Sequence, residues 1–216
     1  NPFSAFYKFN YRYCLCASPE RYLQKNKGRI FSQPIKGTAK RDLSDKAKDD
    51  KAKNYLLLSD KEKSENVMVV DLVRNDLSRI CKPGTVQVDE LFGLYSFPQV
   101  HQMISTISGI PEDGLNWIDC IKATFPMGSM TGAPKKRVME LIEEFEQTRR
   151  GLFSGALGYV KPNGDFDFNV VIRSMLYNEK EKNISFQTGG GITFNSNAVM
   201  EYEECLLKAE AMMKVL

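Results

Sequence analysis

One lysine, two pairs of glutamates and a single histidine are the side chains in this sequence whose types and spacing suggest chemistry. Lys36 lies in Pro34-Ile35-Lys36-Gly37-Thr38. Proline fixes the backbone ahead of it, and glycine lets the chain behind it approach something closely. An amine nucleophile must shed its proton. An ordinary lysine, with a pKa of about 10.4, is neutral in only roughly one molecule in a few thousand at pH 7. Burial or a cationic neighbour would change that. Taken alone, the pentapeptide reads better as a turn with an exposed lysine.

Glu62 and Glu65 are three residues apart, as are Glu201 and Glu204. On a helix each pair shares a face. Two such pairs offer hard oxygen donors of the kind that hold Mg²⁺, which takes one or two carboxylates plus substrate and water. Each pair alone reads equally as a solvated face, with Glu204 and Lys208 forming an i,i+4 ion pair. Glu20 follows the Ser18-Pro19 turn, and its spacing suggests a solvated carboxylate. His101 is the only histidine, so a multi-histidine metal site is excluded, and it reads as a hydrogen-bonded core residue. Arg173 ends the apolar run Val170-Val171-Ile172 and needs a partner, either a structural carboxylate or a ligand's. Gly128-Ser129-Met130-Thr131-Gly132 precedes a helix, which makes it an anion site or an ordinary capped glycine loop. It lacks the further Gly and the Lys-Ser/Thr pair of a phosphate loop.

The elements that must position these groups follow from periodicity. Residues 3–15 alternate like one or two strands. Residues 40–65 hold eight Lys/Arg and seven Asp/Glu with few apolar anchors, so a mobile, charged connector is expected to run into a helix or strand through Val67–Val73. Arg74-Asn75-Asp76 reads as a capping and salt-bridge cluster. Short strand pieces are expected at 86–88 and 91–92, and a helix over 117–125. Val138, Leu141, Ile142 and Phe145 predict a helix closed by Arg149, Arg150 and Gly151. Strands are expected over 155–159, 166–175 and 184–188, with the Asn163-Gly164 hairpin turn between the first two. A last helix is expected over 198–216, with Val199, Tyr202, Leu206, Ala209 and Met213 as its apolar stripe and Glu201, Glu204 and Lys208 roughly opposite.

Composition sets the class. With 216 residues and 42% hydrophobic residues the chain has enough material for a sizeable core. A formal charge of +3 is too small to argue for nucleic acid or an anionic membrane, and no apolar run is long enough to span a bilayer. Five cysteines at irregular spacing suggest free thiols in a reducing, cytoplasmic compartment, and Cys14-x-Cys16 lacks the second ligand pair that zinc would need. The chain opens on Asn1-Pro2-Phe3-Ser4 with no Met and no signal peptide, as a piece of a longer chain would.

Together these stretches resemble the chorismate-utilising enzymes, and within them the branch that includes component I of aminodeoxychorismate (para-aminobenzoate) synthase. The matching motifs are Ser18-Pro19-Glu20-Arg21, Pro34–Thr38, Glu65–Asp76, Val100–Met103, Phe125–Lys135, Asp167–Arg173, and Gly189 through the final helix. They cover essentially the whole chain in order. The resemblance implies an α+β fold, a chorismate-binding β-sandwich flanked by helices, with residues 1–216 as its C-terminal catalytic domain and the N-terminal portion absent.

It also implies amination of chorismate to 4-amino-4-deoxychorismate in folate biosynthesis, using Mg²⁺ and ammonia from a glutamine amidotransferase partner. By the same resemblance Lys36 is the nucleophile and Glu20 the general acid. Glu65 and Glu204 match metal ligands, with Glu62 and Glu201 near the metal. Gly37, Thr38, His101, Ser129, Arg173, Gly189, Gly191 and Lys208 match positions around the substrate. Anthranilate synthases usually carry alanine at the position of Lys36. Anthranilate synthase component I is therefore the close alternative, and a non-catalytic fragment that only binds ligand or partner is another. Two departures stand out. Phe153 replaces a common tyrosine, and Asn195, Asn197, Ala198 and Val199 replace an acidic, proline-containing lead-in, which is expected to weaken the last helix's cap.

Overall fold

The chain carries eleven strands and five α-helices among the residues described in a computed structural model, 2–194 and 196–216. The first part runs β1 (Phe3–Phe9), β2 (Arg12–Ser18), β3 (Arg21–Asn26), β4 (Arg29–Gln33), β5 (Ile35–Lys40), α1 (Lys46–Leu58), α2 (Asp60–Ser78), β6 (Gln87–Ser96) and β7 (Val100–Gly109). It continues through α3 (Trp117–Thr124), a 3-10 turn (Gly128–Met130), α4 (Lys135–Phe145), β8 (Ala156–Val160), β9 (Phe166–Val170), β10 (Ser174–Asn178), β11 (Asn183–Phe186) and α5 (Ala198–Met213). This is the expected α+β class. The described residues fall into two compact units, one from segments up to Glu20, Thr148–Gly158 and from Asn169 on, the other from Arg21–Gln147 and Tyr159–Phe168.

The first unit holds the antiparallel sheet β1-β2-β10-β11. Alternation on β2 buries Cys14 and Cys16 against Val171, with Ala5, Leu157 and Leu176 packed around them. Burial pushes the Cys14 thiol up to about 11, so it behaves as an inert core group, and all five cysteines are free. The strand expected over 166–175 is broken: β9 ends at Val170, β10 starts at Ser174, and Arg173 between them takes a φ of 52°. In α5 the expected faces are only partly kept. Ala209 of the apolar stripe is buried and Glu204 of the polar one is exposed, but Val199, Tyr202, Leu206 and Met213 are exposed, Glu201 is 7% exposed and Lys208 is half-buried. Asn197 accepts hydrogen bonds from the Val199 and Met200 amides, so the cap expected to be weakened is made. Asn195, another residue of that lead-in, lies outside the described residues.

The second unit holds strands β3 to β7 of a sheet ordered β5-β7-β4-β3-β9-β8, with β6 also pairing β7. Its buried side chains include Leu23, Ile30, Met103, Ile107 and Phe166. α1 and α2 pack on β5 and β7. The stretch 40–65 is therefore helical over most of its length instead of a mobile connector. Ser59 separates the two helices, closing α1 and capping α2 through the Glu62 amide. α2 buries Val69, Val70, Val73 and Leu77, and Ser105 of β7 donates to Asn66 Oδ1 at 2.6 Å. β6 is one bulged strand, not two pieces. α4 ends at Phe145, and Arg149, Arg150 and Gly151 lie beyond it. Glu143, Glu144 and Glu146 crowd the negative end of the helix dipole and favour that earlier stop.

α1 is held by a polar anchor. Asp49 faces Arg41, with Arg41 Nη2 at 2.8 Å from Oδ2, and His101 Nε2 at 3.0 Å from Oδ1. Ser96 Oγ lies 2.8 Å from His101 Nδ1. Hydrogen bonds from Arg41 hold the Asp49 carboxyl well below the usual range. A folded pKa below the unfolded value means stability that is present above the unfolded pKa and lost as pH falls through the folded one. Amide protection of α1 is therefore expected to fall on acidification below about pH 4. Asp49→Asn should remove that dependence, which hydrogen exchange at pH 3–6 checks.

Candidate active site

β5 carries Lys36 into its surroundings through a bulge. Ile35 pairs with Ile104 and Thr38 with Gln102, so Lys36 and Gly37 together face the single residue Met103. An extra residue of this kind re-aims a side chain and is common beside active sites. Gly37 takes a φ of 89°, open to glycine and strained for others. A Cβ there would lie 3.2 Å from Glu62 Oε2. Gly37→Ala is expected to cost about 1–2 kcal/mol through the left-handed conformation and to shift Lys36. Thermal unfolding alongside activity checks this; an unchanged melting temperature would contradict it.

Lys36 Nζ lies 3.9 Å from Glu65 Oε2, both side chains largely buried, and Lys61 Nζ lies 4.0 Å from Oε1 of the same glutamate. So Lys36, Gly37, Glu62 and Glu65 come together at the meeting of β5 and α2, all within the second unit. Thr38 is exposed one residue further along β5. Ser129 sits in the 3-10 turn, where its hydroxyl is buried with no hydrogen-bond partner among the described residues. His101 is 1% exposed with both ring nitrogens engaged, as a core histidine should be. Hydrophobic periodicity gave no sign of its network with Asp49 and Arg41.

The first unit holds a second group. Lys208 Nζ is 2.6 Å from Glu204 Oε1 and donates to the Gly189 carbonyl at 2.9 Å. The Arg173 guanidinium is half-buried; burial pulls its pKa down while nearby Glu204 opposes that. Ser196 donates to Glu201 Oε1 at 2.8 Å. A Cβ on Gly190 would come within 2.9 Å of Glu201 Oε2, which marks Gly190 as a neighbour of the acid that sequence reading did not single out. Gly191 accepts a long hydrogen bond from Ser196. Glu20 is 6% exposed, contrary to the solvated carboxylate its spacing suggested, and its backbone is pinned by Ser18 and the Val170 amide.

Each unit thus offers a cation beside a pair of carboxylates, and the first adds an arginine and a glycine-rich loop. The profile of the family described as chorismate binding enzyme matches residues 1–214. The chain belongs to that family. The chain is 44% identical over 213 residues to the chloroplastic aminodeoxychorismate synthase of Arabidopsis thaliana, covering 97% of itself and 23% of that protein. It is 41% identical to aminodeoxychorismate synthase component 1 of Salmonella typhimurium, covering 100% of itself and 47% of the relative. The solved anthranilate synthase component I of Streptococcus pneumoniae superposes with a TM-score of 0.84 at 34% identity, over 97% of this chain and 46% of the other. The chain therefore spans about a quarter to a half of these relatives. Among the described residues no helix is long and apolar enough to cross a membrane.

No single group of three or more His, Cys, Asp or Glu residues able to hold a metal occurs among the described residues. Each unit instead supplies a glutamate pair on one helix face. Hard carboxylate donors, one or two at a time, match what Mg²⁺ takes from protein.

Proposed function

We propose that the chain carries the catalytic residues for amination of chorismate to 4-amino-4-deoxychorismate, within a longer protein. The observation that supports this most is Lys36 in the β5 bulge, 3.9 Å from Glu65. Two relatives at 41% and 44% identity are named for that product's synthase.

In this reading neutral Lys36 attacks C2 of chorismate, the ring diene shifts, and the C4–O bond breaks. Glu20, buried and backbone-anchored, gives its proton to the departing hydroxyl, which leaves as water. Ammonia then adds at C4, the diene shifts back, and the C2–N bond breaks to return Lys36. The sum is chorismate plus ammonia giving aminodeoxychorismate plus water. Arg173, Ser129, Lys208 and the Gly189–Gly191 backbone are receptors for a dianion. The family resemblance makes Glu65 and Glu204 the residues that would hold Mg²⁺, with Glu62 and Glu201 as their partners on the same helix faces. Bound there, Mg²⁺ would supply positive charge for a substrate carboxylate. His101 orders α1 through Asp49, and by the family resemblance it also lies near the substrate ring. Ammonia comes from a glutamine amidotransferase partner, in keeping with the relative's designation as component 1.

Intact-protein mass after incubation with chorismate and Mg²⁺, without ammonia, tests the reading. An adduct on the wild type that maps to Lys36 and is missing from Lys36→Ala supports it. Formation of anthranilate with Lys36→Ala fully active would instead favour anthranilate synthase, the solved relative's activity. Chorismate binding with neither adduct nor product would favour a fragment that binds without turnover.

A further inference from the structure

Lys135 opens α4, and its ammonium is buried against three acceptors. Nζ lies 2.5 Å from Asp76 Oδ2, 2.7 Å from the Pro126 carbonyl and 3.2 Å from the Thr124 carbonyl. All three ammonium protons are thus committed. One goes to the helix that carries Glu65, one to the last residue of α3, Thr124, and one to Pro126 at the start of the loop 125–134. That loop lies hard against the same helix, since a Cβ on Gly128 would be 3.0 Å from Leu72 Cβ. Within it the Met130 amide and Thr131 hydroxyl both donate to the Met127 carbonyl at 3.1 Å. At its centre sits the buried Ser129 hydroxyl, with no hydrogen-bond partner among the described residues. A hydroxyl normally rotates to find a partner, and leaving one buried without any costs about 1–3 kcal/mol.

Stability alone explains the ion pair poorly. Burial pushes the Asp76 carboxyl up, and that effect exceeds the opposing pull of Lys135. A buried pair whose desolvation outweighs its attraction adds little net stability. It does fix geometry, because it joins α2 to the two carbonyls from which the loop departs.

We propose that Asp76 and Lys135 are positioning residues for Ser129. Their ion pair clamps the Gly128–Met130 turn to α2, so that the Ser129 hydroxyl is held unpaired, ready for an acceptor on the ligand. Resting on the chorismate reading, that acceptor is a substrate carboxylate. Ser129 touches the ligand; Asp76 and Lys135 act through it.

The test combines amide hydrogen exchange with calorimetric titration of chorismate and Mg²⁺ on wild type, Ser129→Ala, Lys135→Met, the double variant Asp76→Leu/Lys135→Met and the triple variant that adds Ser129→Ala to it. The double variant leaves no unpaired buried charge, so it folds even where Lys135→Met does not. Exchange at the Met130 and Thr131 amides is expected to rise about tenfold or more in the double variant and to stay at the wild-type rate in Ser129→Ala, with β7 amides unchanged in both. Chorismate affinity is expected to fall about tenfold in Ser129→Ala, the worth of a hydrogen bond to a charged acceptor. It falls by a similar factor in the double variant, and adding Ser129→Ala to the double variant weakens it no further. Unchanged loop exchange in the double variant, or losses that multiply, would overturn the proposal. Loosened exchange in a protein whose wild type takes up no chorismate would support the clamp and sink the substrate assignment.

Discussion

Lys36→Ala is expected to abolish aminodeoxychorismate formation, lowering kcat by at least about 10³-fold, while chorismate binding changes little. The size follows from the role. Removing a covalent nucleophile takes away the whole route through the intermediate, and such losses are commonly three to six orders of magnitude. In the proposed reading binding survives, because the receptors assigned to the dianion are other groups, Arg173, Lys208, Ser129 and backbone amides. Lys36→Arg serves as the control for charge. It keeps a cation beside Glu65 but supplies no neutral amine, since guanidinium does not deprotonate in proteins. Both variants should therefore be inactive, and only Lys36→Ala should change the salt dependence of binding. Should Lys36→Arg keep more than about a tenth of wild-type activity, Lys36 would be an electrostatic contact and not a nucleophile. Product analysis by chromatography, with ammonium salts as the nitrogen source, separates these outcomes without the amidotransferase.

Much of the candidate site was legible because its residues stand in contiguous motifs. Lys36 with its flanking proline and glycine, and the two Glu-x-x-Glu pairs, needed no tertiary information to be noticed. The bulge that aims Lys36 was not legible, since it exists only as a mismatch between the β5 and β7 registers. The charged stretch 40–65 misled for a different reason. Hydrophobic periodicity detects helices that dock by apolar faces. α1 docks largely through Leu56 and the Asp49–Arg41–His101 anchor, and a buried carboxylate leaves no periodic trace. Arg173 shows the same limit. Its apolar approach looked like one long strand, but the backbone turns through a positive φ at the arginine itself, a conformation no residue type there announces.

α5 gives the second large effect. A helix placed for stability alone would bury Val199, Tyr202 and Leu206; this one leaves them exposed, and beside Ala209 and Met212 it buries the carboxylate of Glu201. Proteins accept such locally unfavourable arrangements mainly where function needs them. Glu201→Gln isolates the charge. Glutamine keeps the size and can still accept from Ser196, as Glu201 does at 2.8 Å. Burying a neutral amide costs less than burying a carboxylate, so the melting temperature without metal should stay level or rise. The response to Mg²⁺ should change sharply. A ligand bound only by the folded state raises the melting temperature by mass action, so wild type should gain stability as Mg²⁺ is added in the presence of chorismate. Loss of a carboxylate near the metal is expected to raise the half-saturating Mg²⁺ concentration by about 10–100-fold, and the thermal shift should disappear over the same range. A purely structural Glu201 would behave the other way round, with a lower melting temperature and an unaltered Mg²⁺ titration. That pattern would remove Glu201 from the metal site and leave its burial to be explained by packing.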